Sequence, residues 1–331
     1  MAAAHLEFGT LNEQETFKSV PEEKVTIKTI PVKWVFTYKT DDDGYLLKYK
    51  TDDDGYLLKY KARMIVRGDL QILTGKDTYA ATLAMRVSRE ILAICAYFDL
   101  EAHQFDVTNS FPHAELDKDD TVIINYPDGF KVPGNRLRLR KALYELPISP
   151  KLWYNHLMKT LQKFGLRSVP ESGYVFCNDK LIFCFYVDDI AVFYHMRNKD
   201  YFEQFKKALF EVYTVKDMGE IKWFLGLRII RNRSERKLWL VQDSYIEKKT
   251  QTFKRVDKKG NLIGKDVETP IKTDEIKPWD GKAAGHQVFE FQKRIGSLTY
   301  IATVSRPDIA KAIQKLAEVQ QNPNLENFED T

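Results

Sequence analysis

Leu181-Ile-Phe-Cys-Phe-Tyr-Val-Asp-Asp-Ile-Ala-Val-Phe-Tyr194 sets two adjacent carboxylates, Asp188 and Asp189, in the middle of an otherwise apolar run. An ionised carboxylate taken out of water is costly unless something compensates it. Two such charges about 4 Å apart repel by roughly 4 kcal/mol at an effective dielectric of 20. A bound divalent cation answers both costs, so the run reads as part of a metal-dependent enzyme. Its aromatic and β-branched content predicts two buried strands, Leu181–Tyr186 and Ile190–Tyr194, joined at Asp188-Asp189. An ordinary hairpin whose turn uses Asp is the plain alternative, and the run by itself leaves both open. A membrane span is excluded here, since it needs about 20 apolar residues and each central Asp costs roughly 2.5–3.5 kcal/mol on insertion.

The whole chain of 331 residues is 44% hydrophobic and 13% aromatic, enough for a sizeable core. Fifty-one Lys and Arg against 47 Asp and Glu leave a net charge of +4, which permits nucleic-acid binding without requiring it. Cys95, Cys177 and Cys184 form no Cys-x-x-Cys pair, and the six histidines are scattered, so neither a disulfide framework nor a zinc site is indicated. The N-terminus lacks the apolar stretch of a signal peptide. The expectation is an intracellular protein, cytoplasmic (particle-associated) or nuclear, with no membrane partner.

Residues 1–24 read as a polar, loose lead-in. Lys33–Lys39 alternates as a strand and runs into Asp-Asp-Asp-Gly, a turn signal. Thr40–Lys50 and Thr51–Lys61 are then identical copies of Thr-Asp-Asp-Asp-Gly-Tyr-Leu-Leu-Lys-Tyr-Lys. Two copies do not make a solenoid. One copy is expected to pair with Lys33–Lys39 while the other is extruded. Further on, Ser88 is placed as the N-cap of a helix reaching Phe98. Strands are expected at His103–Asp106 and Thr121–Asn125, then a helix with Ser149 as N-cap and Pro150 at its first position, stopped by Gly165. A helix over Lys199–Val212 and strands over Trp223–Ile230 and Lys237–Val241 follow. Two closing helices, Phe289–Thr303 and Pro307–Gln320 with Ser305 as cap, complete the reading. Strands and helices without strict βαβ alternation define an α+β class.

Asp106, in Gln-Phe-Asp-Val-Thr-Asn-Ser-Phe, closes an apolar strand. Such an Asp is commonly a helix cap. Together with Asp188 and Asp189 it could supply three oxygen ligands to one site, a donor set that suits Mg²⁺ or Mn²⁺ over zinc. Two such ions roughly 3.5–4 Å apart can stabilise the attacking and leaving oxygens of a phosphoryl displacement.

Asp106-Val-Thr-Asn-Ser-Phe111 followed by Tyr186-Val-Asp-Asp189 resembles motifs A and C of a reverse transcriptase. The wider set resembles the copia-type branch of LTR retrotransposons: Lys33-Trp34-Val35-Phe36, Tyr60–Arg63 with Val66-Arg67-Gly68, Leu143-Tyr144 with Pro150 and Trp153, Lys216–Gly219 with Phe224-Leu225-Gly226, and Arg306–Ile309. The resemblance spans about residues 25 to 325. It implies a right-hand polymerase, with fingers and palm sheet over 25–250 and short thumb or connection helices over 251–331 preceding an absent ribonuclease H. By the same resemblance Asp106, Asp188 and Asp189 are catalytic and hold two Mg²⁺ ions (Mn²⁺ is an alternative). Phe111 and Tyr186 lie at the nucleotide, Phe111 as the aromatic gate against a ribose 2′-hydroxyl, and its alternative is plain core packing. Lys61 and Arg63 would grip the triphosphate, as cations suit a polyanion. Trp223, Phe224, Leu225 and Gly226 match the primer grip, and Lys216 could act as general acid toward pyrophosphate. The implied partners are an RNA or DNA template with its primer, and dNTPs; the sequence does not give an oligomeric state.

Two departures bear on activity. Glu145 stands where the family has glycine in Leu-Tyr-Gly-Leu, adding bulk and negative charge and opposing a positive φ. Phe111-Pro112-His113-Ala114 replaces the usual Phe-Leu-Asn-Gly. With the tandem repeat, these make a degenerate, catalytically silent nucleic-acid-binding remnant the alternative to an RNA-directed DNA polymerase. No protease, integrase or ribonuclease H signature accompanies the domain, and the chain reads as a fragment of a polyprotein.

Overall fold

The computed structural model describes residues 1–38, 60–71, 75, 77–80, 83–117, 119–253, 269–271, 276, 279–324 and 327–328. In chain order these form α1 (Ala2–Glu13), β1 (Phe17–Pro21), β2 (Val32–Tyr38), β3 (Tyr60–Val66), α2 (Met85–Tyr97), β4 (Glu101–Val107), β5 (Ile123–Ile124) and β6 (Asn135–Leu139). Then come α3 (Ser149–Lys163), β7 (Arg167–Val169), β8 (Ser172–Cys177), β9 (Leu181–Tyr186), β10 (Asp189–Tyr194), α4 (Lys199–Val212) and β11 (Val215–Glu220). The rest are β12 (Trp223–Phe224), β13 (Leu227–Asn232), β14 (Lys237–Val241), α5 (Asp243–Phe253), α6 (Gly285–Val304) and α7 (Ala310–Glu318). The mixture is α+β, as expected. Two units divide it: Met1–Leu225 with Arg231–Leu238, and Gly226–Ile230 with Trp239–Thr331.

In the first unit a six-stranded sheet runs β11-β4-β10-β9-β8-β7. Each of its neighbouring pairs is antiparallel. One face carries Phe105, Phe183 and Phe185, all buried, against rings from two helices: Phe202 and Phe205 of α4, and Tyr154 of α3. Burying an aromatic side chain removes 150–250 Å² from water, and period-2 alternation then sends residues 104, 106, 189 and 191 to the opposite face. A separate core lies between β1-β6-β5, β2-β3 and α1, built from Leu11, Phe17, Met64, Val66, Ile124, Leu137 and Leu139. In the second unit Phe291, Ile295 and Ala302 of α6 pack with Ile313 and Leu316 of α7.

Several expectations change. The lead-in is ordered: Leu11 of α1 and Phe17 of β1 are buried core residues, so its polar letters form the outer faces of a helix and an edge strand. The β9–β10 turn is Val187-Asp188, not Asp188-Asp189, because Asp189 already pairs with Tyr186. Ser88 lies buried inside α2, whose N-cap is Ala84. Ser149 is the first helical residue of α3, and its hydroxyl instead joins the Leu143 backbone, accepting from its N–H at 3.0 Å and donating to its carbonyl at 2.6 Å. The Trp223–Ile230 strand is broken by Leu225 (φ 53°) and Gly226 (φ 77°). Ser305 caps the C-terminal end of α6, and the last helix begins at Ala310 after a single turn of 3₁₀ helix over Pro307–Ile309. The strand paired with β2 is Tyr60–Val66, to which the repeat contributes only Tyr60 and Lys61. The remainder of both copies lies outside the described residues.

Candidate functional site

Strand register assembles the acidic site. Asp189 is the direct cross-strand partner of Asp106 and, on its other side, of Tyr186; Lys216 of β11 is the partner of Asp106. Directly opposed residues project to one face with Cβ atoms about 4.5–5.5 Å apart. Asp106, Asp189, Tyr186 and Lys216 therefore share one end of the sheet. Asp188 stands in the intervening turn, where its carbonyl accepts the Val107 N–H at 3.0 Å and ties the turn to β4.

The turn itself is strained. Val187 takes φ 58°, a conformation that β-branched residues avoid. The two hairpin turns that match strand twist need a positive φ at their first position. The Val187 carbonyl accepts the indole N–H of Trp153 at 2.7 Å, and Trp153 is buried in α3. A strained position of this kind costs roughly 1–3 kcal/mol and persists only where its surroundings fix it.

Electrostatics follow from the packing. Burial, reinforced by the charges of Asp188 and Asp106 and opposed by a hydrogen bond from Gln104, raises the Asp189 carboxyl to about 6. Burial likewise raises Asp188, reinforced by Asp106 and opposed by Arg63 and Lys61. The two β3 cations are thus within electrostatic reach of the carboxylates. Arg63 lies 5.3 Å over the Tyr144 ring, and Tyr144 donates its hydroxyl to Asn109 Oδ1 at 3.3 Å. Phe111 is buried with its ring edge-on to Tyr144, centroids 5.3 Å apart. Behind the sheet, burial of Asp217 is overcome by donations from Lys206 and His103, both at 2.5 Å, which hold its carboxyl at about 2.

The donors at the acidic end are carboxylate oxygens, and two of them are disfavoured as anions. That is the chemistry a hard divalent cation relieves, so the residues fit Mg²⁺ or Mn²⁺. Among the described residues no three His, Cys, Asp or Glu side chains are already gathered as a ligand cluster. The fit lies in donor type and backbone register.

Glu145 does adopt the conformation expected to be closed to it, with φ 63°. The Tyr144 carbonyl accepts from Val66 N–H at 3.0 Å, and Gly68 abuts the Glu145 carbonyl so closely that a Cβ there would lie 2.1 Å from the oxygen. Glu145 lines an open cleft of about 560 Å³ with Lys33, Arg67 and Asp69. Trp223 is half-buried and Phe224 buried on β12, ahead of the Leu225-Gly226 turn. Sequence reasoning missed three positions: Gln104 on Asp189, Asn109 on Tyr144, and Trp153 as the clamp on Val187. Gln104 was legible as the same-face neighbour two residues before Asp106; the other two depend on tertiary contacts.

The fold and the acidic strand ends define a class, the reverse transcriptase (RNA-dependent DNA polymerase) family: the chain belongs to it, its family model matching residues 14–266. Among individual proteins, the chain is 30% identical over 347 residues to the Retrovirus-related Pol polyprotein from transposon TNT 1-94 of Nicotiana tabacum, covering 99% of this chain and 24% of that protein. The corresponding polyproteins from transposons RE2 and RE1 of Arabidopsis thaliana are 26% and 27% identical, each over 95% of this chain and 20% of the relative. The chain therefore spans about a quarter or less of these relatives' length. The likeness to copia-type retrotransposon reverse transcriptases read from the motifs stands.

Proposed function

We propose that the chain is the RNA-directed DNA polymerase portion of a retrotransposon polyprotein, extending a primer on an RNA or DNA template with dNTPs. In this reading the six-stranded sheet is the palm, β2-β3 with the β1-β6-β5 layer the fingers, and the α6–α7 pair the thumb. Asp106, Asp188 and Asp189 would hold two Mg²⁺ ions, which when bound activate the primer hydroxyl and stabilise charge on the transferred phosphoryl group. Lys61 and Arg63 bind the triphosphate, their charges already directed at Asp188. Phe111, fixed against Tyr144, screens the sugar, and Tyr186 flanks it. Trp223–Gly226 support the primer end. Lys216, exposed and the cross-strand partner of Asp106, would give a proton to departing pyrophosphate in this reading.

The observation that carries this reading is the Asp189–Asp106 pairing, which brings carboxylates 82 positions or more apart in sequence to one sheet end. Purified protein with poly(rA)/oligo(dT), labelled dTTP and Mg²⁺ or Mn²⁺ tests it. Extension is expected, and Asp188→Asn is expected to remove it by about a thousandfold or more. Nucleotide hydrolysis without a primer would contradict the assignment.

One observation favours a second reading, the silent nucleic-acid-binding remnant. Glu145 brings a carboxylate and a strained φ to a position where the family has glycine. Tight template–primer binding with no extension in either metal supports that reading.

A further inference from the structure

Helix α1 packs along β3. Its buried residues are Ala4 and Leu11, and Leu11 enters the core that holds Met64 and Val66. Helical spacing puts Glu7, three residues after Ala4 and four before Leu11, on that same stripe. It is the only carboxylate among the first twelve residues. A charge on the core side of a helix is costly unless something compensates it. Part of the compensation is backbone: the Glu7 carboxylate accepts the Met64 N–H. N–H groups two residues apart on a strand point the same way, and the Val66 N–H bonds the Tyr144 carbonyl at 3.0 Å. Glu7 and Tyr144 therefore share the edge of β3 that β2 leaves open.

Accepting one N–H needs no charge, since a neutral side-chain amide does the same. What the charge meets is a pair of cations. Burial raises the Glu7 carboxyl, the Met64 N–H opposes that, and Lys61 and Arg63 oppose it further. The same two cations oppose the burial of Asp188. Lys61 and Arg63 are thus shared between the β9–β10 turn and α1. Arg63 also lies 5.3 Å over the Tyr144 ring, a hold that does not depend on Glu7. Among the described residues, Glu7 Oε1 and Arg63 Nε are both buried without a hydrogen-bond partner, so these atoms do not close an ion pair. Neutralising Glu7 would leave the cations in place and remove an anion that repels any polyanion they bind.

We propose that Glu7 is a built-in counter-anion to Lys61 and Arg63, limiting how tightly those two residues hold the polyphosphate of substrate and product. Glu7 touches neither the ligand nor the metal ions; it sets the charge that both meet at β3. The proposal rests on the assignment of Lys61 and Arg63 to the triphosphate. It deepens that assignment with a residue from a helix that precedes the residues matched by the family, 14–266.

The test is calorimetric titration of the full chain with inorganic tripolyphosphate and Mg²⁺, which needs no catalysis. Glu7→Gln keeps the shape and the acceptor for the Met64 N–H, and is expected to tighten binding by about three- to tenfold. Arg63→Gln is expected to weaken it. Glu13→Gln, at the exposed end of the same helix, is expected to change it by less than about twofold. The melting temperature of Glu7→Gln should hold or rise, since a partly buried charge is removed; a merely structural role would lower it and loosen binding. In primer extension the KM for dTTP should fall by the same factor with kcat little changed. Unchanged or weaker tripolyphosphate binding in Glu7→Gln overturns the proposal, as does equal tightening in Glu13→Gln or no binding in any of the proteins. Tighter binding in Glu7→Gln without primer extension counts against the polymerase reading and leaves this one standing. Extension with KM and tripolyphosphate affinity equal in Glu7→Gln and wild type does the reverse.

Discussion

Among the non-glycine residues of the first unit that take a left-handed φ, Val187 at φ 58° in the β9–β10 hairpin and Glu145 at φ 63° in the loop beside β3 hold nearly the same conformation. Val187 is clamped from outside its own element, by the Trp153 indole and by the Asp188 carbonyl bond to β4. Glu145 is fixed only by its neighbours' backbone, with Tyr144 joined to Val66 and Gly68 against its carbonyl, while its side chain is exposed. At Val187 the left-handed turn closes β9 onto β10 with Asp189 in register with Asp106 and the Asp188 carbonyl bonded to β4. At Glu145 the left-handed φ sets the carbonyl against Gly68 with the side chain exposed, and a glycine would relieve the strain.

The largest effect that sharpens this contrast belongs to the hairpin. Asp189→Asn should abolish extension, by about a thousandfold or more, and yet stabilise the fold at pH 8. Its carboxyl is raised to about 6 from 3.8, so keeping it ionised in the native state costs free energy above pH 6. Below about pH 4 both native and unfolded forms are protonated and the cost vanishes. At 1.36 kcal/mol per unit the shift corresponds to at most about 3 kcal/mol. The melting temperature of Asp189→Asn relative to wild type is therefore expected to be higher at pH 8 and equal at pH 4. Equal values at both pH extremes would show that the carboxylates are not electrostatically loaded. That pH dependence belongs to the metal-free protein, since a bound divalent cation would hold the carboxylate ionised to lower pH.

Next in size is Gly68→Ala, which attacks the other side of the comparison. Its Cβ would lie 2.1 Å from the Glu145 carbonyl oxygen and 2.7 Å from Pro147 Cδ, so backbone has to move. Overpacking of this sort costs about 1–3 kcal/mol or more. Chemical denaturation should report that loss; a stability within 0.5 kcal/mol of wild type would mean the loop is free to give. A loss of similar size or smaller is expected for Trp153→Phe, which deletes the donor to Val187 and replaces the buried indole with a smaller ring, so a small cavity adds to the cost. The orphaned carbonyl costs about 1–2 kcal/mol, and extension is expected to slow by about tenfold with the KM for dTTP little changed. An unaltered rate would show that the hairpin holds its shape without the clamp.

How much of this was legible depends on the range of the interaction that decides each feature. The hairpin, Asp106 at the end of β4, and the α4 and β14 boundaries follow from local alternation and periodicity, and α4 and β14 fall at the predicted residues. Ser88 and Ser149 look like caps locally, but burial and the Leu143 backbone decide their roles. The N-terminal helix was hidden because α1 is weakly patterned and buries only Ala4 and Leu11. For the site, residue types and order pointed to Asp106, Asp188 and Asp189 together. The identity of the turn residues, the Trp153 clamp and the Gln104 bond could not be read from spacing, since each rests on a long-range partner.

The finest test of the comparison is Glu145→Gly. Left-handed backbone costs an ordinary residue about 1–2 kcal/mol relative to glycine, offset by the greater entropy glycine loses on folding, about 0.5–1 kcal/mol. The net stability change is expected to be within about 1 kcal/mol and toward stabilisation, since Glu145 at φ 63° lacks the external clamp that Val187 has. The functional change is independent of that sign. Removing the carboxylate from the cleft lined by Lys33 and Arg67 lowers the negative charge that a polyanionic ligand meets there. A lower KM for dTTP, or extension appearing where wild type shows none, identifies Glu145 as the lesion. If Glu145→Gly and wild type are equally inactive while Gly68→Ala still unfolds the loop, the cause lies elsewhere, and the extra copy Thr40–Lys50 becomes the next segment to excise.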